Sequence, residues 1–288
     1  MNLSFHFSSS LSTCARGLVT AAAGASLLVL GACSQTPVTV DLHSLQASGK
    51  VSFVCRADDG SPAGHKLDEC PDYEHGTRHL LGLVTQTATN EVAIVDLYEG
   101  AVVDVDPTTP GYSFLRVGAS PGAIVTSPGG AASFVGVSGF QKNGIFALPT
   151  TCLSPPKAKT DPREPNEVSR DLTSWAACSL SSAPGEITML VDPPVAKGGA
   201  IRGACDGSPQ AKPDLTGRDC PADLTAEGGP VGRRKLLVSL PDEHKLVLLD
   251  AQSLLDRPAG EFTSCTVEAS YGLNAPLPTS PVQPVLPP

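Results

Sequence analysis

The sequence predicts an all-β protein built from repeated hairpins, on three observations. Glycine supplies 28 and proline 27 of the 288 residues while aromatics make up only 5%, a composition dominated by turn chemistry. Short apolar runs joined by Asn, Gly, Pro or Asp turns recur four times along the chain. A turn-rich loop closed by two cysteines occurs twice, Cys55 to Cys70 and Cys205 to Cys220, each pair enclosing 14 residues.

The chain opens with a segment that is not part of that fold. Residues 1–32 hold no Asp or Glu and one basic residue, Arg16, followed by an apolar small-residue run of 15 residues from Leu18 to Ala32. A helix that crosses a bilayer needs roughly 20 apolar residues, so this run is a secretory signal rather than a transmembrane anchor. It ends Leu30-Gly31-Ala32-Cys33, which resembles the lipobox of bacterial lipoproteins. The resemblance implies that the Cys33 thiol, a polarisable nucleophile, is acylated and becomes the mature N-terminus, with residues 33–50 as a lipidated tether. Two or three acyl chains hold firmly where one holds marginally. The expected partner is therefore a lipid bilayer, and the small uncharged Ser34 points to the outer membrane of the envelope.

From Cys33 onward the chain carries 19 basic and 29 acidic side chains, which excludes a phosphate-backbone partner; no nucleic acid is expected. Export places the cysteines in an oxidising space. The two copies of the stapled loop share Asp-Gly-Ser-Pro, at Asp59-Gly60-Ser61-Pro62 and Asp206-Gly207-Ser208-Pro209, and close Glu69-Cys70-Pro71 and Asp219-Cys220-Pro221. Each loop has too few large apolar residues to order itself, and a cross-link over such a loop contributes about 3 kcal/mol in the chain-entropy model. The expected bonds are Cys55–Cys70 and Cys205–Cys220. Cys152–Cys178 is the third pairing, with Cys265 unpaired, although connectivity is not fixed by sequence.

The four hairpins are Leu80–Thr85 with Val92–Asp96, Phe134–Ser138 with Ile145–Leu148, Trp175–Ser179 with Ile187–Leu190, and Lys235–Ser239 with Leu246–Asp250. Units at this spacing suggest repeats that cover one another's apolar faces. Here the chain resembles YVTN-type β-propeller repeat proteins: Leu83-Val84-Thr85-Gln86 through Asn90 to Leu97 is close to a blade pattern, and Ser120-Pro121-Gly122-Ala123-Ile124 resembles a link into the next blade. The tyrosine and asparagine of the namesake motif are absent. The resemblance implies a β-propeller-like domain of about four hairpin repeats over residues 51–272, possible as a partial propeller; the same hairpins could build a β-sandwich. Residues 149–171, with five prolines, and 191–233 read as long excursions that add little core. The last 13 residues hold six prolines, so 273–288 reads as an extended, disordered tail.

Catalytic patterns are scarce. Gly118-Ala119-Ser120-Pro121-Gly122 fits G-x-S-x-G, but that elbow needs a backbone N–H after the serine and a following helix; Pro121 supplies no N–H and the glycines beyond it oppose a helix. The loop carrying Asp58, Asp59, His65, Asp68, Glu69, Asp72, Glu74 and His75 matches neither a calcium loop nor a zinc set and reads as a solvated acidic loop. No phosphate or dinucleotide loop occurs, and Trp175, the lone tryptophan, reads as core. No cofactor, metal or catalytic residue is expected. The functional expectation is a membrane-anchored, non-catalytic module whose loops bind a protein or envelope polymer. A lactonase-like metal-dependent hydrolase, from the fold resemblance, or a structural fragment of a larger surface protein are the alternatives.

Overall fold

The computed structural model describes residues 45–57, 61–70, 78–105, 112–140, 142–153, 175–191, 212–218, 220–227 and 234–273. The chain divides into two units, Met1–Thr39 and Val40–Pro288. The first, with the expected signal and Cys33, lies outside the described residues, as do Cys205 and the proline-rich tail.

The second unit is all-β. Strands β1 (Ser48–Ala57), β2 (Arg78–Gln86), β3 (Glu91–Asp96) and β4 (Ala101–Val103) form the first antiparallel sheet, in which β3 also pairs with β5 (Leu115–Arg116). The middle sheet is β6 (Pro121–Thr126), β7 (Ala132–Val137), β8 (Gly144–Pro149) and β9 (Ala176–Ser179), and the third is β10 (Ile187–Val191), β11 (Arg234–Leu240), β12 (Lys245–Asp250) and β13 (Val267–Gly272). The middle and third sheets are meanders of consecutive strands, as is β1 to β4 of the first, and the first strand of the middle sheet, β6, packs against both β1 and β10. A short helix α1 (Ala251–Leu255) follows β12, capped by the Asp250 carboxylate, which accepts from the Ser253 N–H at 2.8 Å.

Sequence pattern explains the stacking. All six residues of β7 and all six of β8 are buried, so this sheet needs apolar side chains on both faces. One face packs Val135, Val137, Phe146 and Leu148 against Val54, Leu81, Leu83 and Ile94 of the first sheet. The other packs Phe134, Ile145 and Ala147 against Ile187, Leu236, Val238 and Leu249 of the third. Each such side chain contributes about 1.5–3 kcal/mol when withdrawn from water. Trp175 is core as expected, 1% exposed, and its indole N–H donates to the Arg116 carbonyl at 2.8 Å.

Three of the four expected hairpins form: β2–β3, β7–β8 and β11–β12. Left-handed Asn90 (φ 63°) and His244 (φ 50°) close the first and last; Asn tolerates that conformation better than most residues. The expected hairpin over Trp175–Leu190 does not form. β9 is the last strand of the middle sheet and β10 the first of the third, so residues 180–186 carry the chain from one sheet to the next. Local turn chemistry is the same in both cases; which strand each run pairs with is decided by tertiary packing.

The cysteines depart further from expectation. Cys55–Cys70 forms, with the Cα atoms 5.7 Å apart. Cys220 bonds to Cys152 rather than Cys205 (Cα atoms 5.4 Å apart), and Cys265, expected to be unpaired, bonds to Cys178 (4.8 Å). The reason is position. β8 ends at Pro149 and the turn Thr150–Cys152 meets the returning excursion where Thr151 Oγ1 donates to the Pro221 carbonyl at 2.8 Å. Residues 263–265 lie along the edge of β9, with Ser179 N donating to Thr263 O and Cys265 N to Ser179 O, both at 2.8 Å. The second excursion also adds core, against expectation: Ala222 is 2% and Leu224 1% exposed.

Candidate functional site

The connections are sorted between two ends. Hydrogen bonds link the short turns to one another: Ser120 N donates to Asn90 Oδ1, Thr87 Oγ1 to Pro121 O, Ser138 N to Ala119 O, Leu180 N to Asn143 O, and Gly185 N to Ser239 O. At the opposite end lie the described parts of the connections β1–β2, β8–β9 and β10–β11, together with the tight β6–β7 turn and α1. There Asp223 N donates to Pro62 O at 2.8 Å and Leu224 N to Gln252 Oε1 at 2.9 Å. Recognition on a β scaffold resides where loops are long, so this end is the candidate site.

The stapled loop is seated by glycine. Gly130 has φ 79°, and a Cβ there would collide with the His65 carbonyl; a Cβ on Gly64 would collide with Gly130 in turn. Within the loop His65 Nδ1 lies 3.2 Å from Glu69 Oε2, Arg78 Nη1 donates to the Glu69 carbonyl at 2.5 Å, and the Tyr98 hydroxyl donates to the Cys70 carbonyl. Of the acidic loop read from sequence, His65, Asp68 and Glu69 are described, whereas Asp58, Asp59, Asp72, Glu74 and His75 lie outside the described residues. Among the described residues no three His, Cys, Asp or Glu side chains are placed to share a metal ion.

Beneath the loop, alternation along β1 and β2 brings Arg56 and His79, partners in register, to the face turned toward the middle sheet. His79 Nδ1 is 2.9 Å from Asp96 Oδ2, and the other Asp96 oxygen accepts from the Tyr98 and Glu99 backbone N–H groups at 2.9 and 3.1 Å. The carboxylate thus fixes the turn after β3 and orients an imidazole that is partly exposed at the loop end.

A second polar group lies under the β6–β7 turn. The Glu227 carboxylate accepts from the Ser127 hydroxyl and from Ala131 N at 2.9 Å, and Arg234 Nε stands 3.4 Å from its other oxygen. Its side chain is wholly buried. Burial pushes the Glu227 carboxyl above the usual carboxylate range, outweighing the hydrogen bonds from Ser127, Ala131 and Gly129 and the Arg234 charge. A raised folded-state value means that the folded protein holds a proton which the unfolded chain has released between about pH 4.3 and the raised value. Stability contributed by this group is therefore lost as pH rises through that window. Urea midpoints for wild type and Glu227→Gln are expected to diverge, with wild type losing ground to the variant as pH is raised above the usual carboxylate range. A difference that stays flat across that rise would refute the assignment.

Sequence reasoning singled out His65 and Glu69 within the loop but missed Arg56, His79, Asp96, Ser127, Glu227 and Arg234. The signal for the first three was a polar residue at the loop end of an otherwise apolar strand face. Ser120, in the G-x-S-x-G pattern, enters strand β6 rather than a helix.

No family model matches the chain, and no curated protein matches it. Among solved structures it is similar to a chain of hydrazine synthase from Kuenenia stuttgartiensis, at 12% identity and a TM-score of 0.34, over 66% of this chain and 33% of that one. The match thus spans about a third of the length of that neighbour.

Proposed function

We propose that this chain is a lipid-anchored module of the bacterial cell envelope, acylated at Cys33, that binds a protein or envelope polymer through its loop-bearing end. The supporting observation is where the cross-links lie. Cys55–Cys70 and Cys152–Cys220 both hold connections of that end, which suits an oxidising compartment and loops that must keep their shape without a core of their own. The residues offered to a ligand are His65 and Glu69 of the stapled loop and Arg78 at the start of β2, with His79 behind them.

The decisive experiment is the intact mass of membrane-extracted protein beside a Cys33→Ser variant. Loss of residues 1–32 with addition of acyl groups, absent from the variant, is the expected result. An unprocessed or unacylated wild-type product would overturn the anchor.

A further inference from the structure

We infer that the short-turn end of the body rests on the lipid surface, so that the loop-bearing end points away from the membrane; this orientation rests on the acylation of Cys33 proposed above. Two independent observations converge on it. The first is the placement of exposed apolar side chains. Among the described residues the three most exposed large ones are Phe140 (94%), Leu273 (58%) and Tyr271 (54%). Phe140 sits at the tip of the β7–β8 hairpin, and Tyr271 and Leu273 lie where β13 ends against the β11–β12 turn, Leu273 N donating to His244 O at 2.7 Å. All three belong to the short-turn end.

The second observation is where the chain enters the body. Ser48, at the start of β1, pairs with Gln86, the residue before the β2–β3 turn, so the chain arrives at the same end, with Leu45 44% exposed just ahead of it. The twelve-residue stretch from Cys33 to Leu45 can reach at most about 40 Å even when fully extended. Fully extended it could pass the far end. A relaxed coil of that length spans about 20 Å, less than the roughly 33 Å of ten-residue β1, so an acylated Cys33 holds this end nearer the bilayer on average. An aromatic ring at a hairpin tip is the kind of side chain that settles at the boundary between headgroups and acyl chains. The same end carries Asp242 and Glu243 beside Lys245, a balance of charge that does not call for anionic lipid.

The test uses the full, acylated chain reconstituted into phosphatidylcholine vesicles with and without brominated acyl chains, which quench nearby tryptophan. The native Trp175 is buried and supplies the background. Phe140→Trp places a reporter at the short-turn end, and Leu67→Trp places one on the stapled loop, where Leu67 is 50% exposed. Both sites lie in solvent, so neither exchange disturbs the core. The expected result is loss of most of the added emission for Phe140→Trp and little for Leu67→Trp. Equal quenching of the two, or stronger quenching of Leu67→Trp, in protein whose mass shows the acyl groups would overturn the orientation while leaving the anchor intact. A mass without acyl groups would overturn both.

Discussion

Replacing Cys178 and Cys265 together by alanine is expected to lower the stability of the oxidised protein by about 4–5 kcal/mol, the largest single effect in the molecule. The bond spans 87 positions of sequence, and in the chain-entropy model closing so long a loop restricts the unfolded chain more than closing a short one, about 3 kcal/mol for the 15-residue separation of Cys55–Cys70. Native-state contacts add to the difference, because the 263–265 segment borders the edge of β9 by two backbone hydrogen bonds and loses its anchor when the bond is gone. Urea unfolding of the double variant beside Cys55→Ala/Cys70→Ala measures it. A smaller loss for the long bond than for the short one would show that the unfolded chain is already compact there.

Lys235→Met is expected to cost about 3–5 kcal/mol, the usual cost of removing one partner from a buried charge group. Lys235 is fully buried in β11, with its ammonium 2.9 Å from Asp250 Oδ2 on β12 and 2.5 Å from Glu268 Oε1 on β13. Burial opposes the charge on Lys235, but the hydrogen bonds and negative charges of Glu268 and Asp250 outweigh it and hold the ammonium above its usual range. Asp250 is likewise pushed up by burial and pulled further down by Ser253 and Lys235, so its net value lies below the usual carboxylate range. The triad thus contributes stability that is lost as pH rises through the raised Lys235 value, and lost at the acid end as pH falls through the depressed Asp250 value. Glu268 is partly exposed and rehydrates when the lysine is removed, so most of the cost comes from Asp250. The triple variant Lys235→Met/Asp250→Asn/Glu268→Gln removes every charge while keeping a capping side chain for α1, and should recover most of the loss. Denaturant midpoints for the two variants decide the matter; equal losses would mean that packing, not charge, is what Lys235 supplies.

The parts of this fold that were legible in the sequence are those set by neighbours along the chain. Asn90 and His244 close turns between apolar runs, and Leu83 facing Ile94 or Leu237 facing Leu248 follows from alternation once the turn is known. Cys55 and Cys70 were legible for the same reason, since the loop between them is short. What was not legible depends on which sheet a strand joins. Trp175–Leu190 has the pattern of a hairpin, yet its halves belong to different sheets, and the same placement carries Cys178 toward Cys265. The duplicated stapled loop misled in another way. The likeness of Cys205–Cys220 to Cys55–Cys70 is real in sequence, but Cys220 stands beside the end of β8 and bonds there. At the loop end, Glu227 lay within a stretch read as an exposed excursion, and only the tertiary contact with Ser127 and Arg234 gives it a role.

The two long cross-links interleave: Cys152 and Cys178 both precede Cys220 and Cys265, their partners in turn. The export proposed above would thread the chain amino end first into an oxidising space, so that Cys152 and Cys178 would arrive together while both proper partners were still inside the cell. An oxidant that joins thiols in order of arrival makes Cys152–Cys178, and the native arrangement then requires thiol–disulfide exchange. The sheets impose no such wait, because each is built from strands close in chain order that can pair as soon as its own residues are out. On the export proposed above, native pairing waits on that exchange, so recovery of the native bonds from reduced protein is expected to speed up when a disulfide isomerase is added to the oxidant.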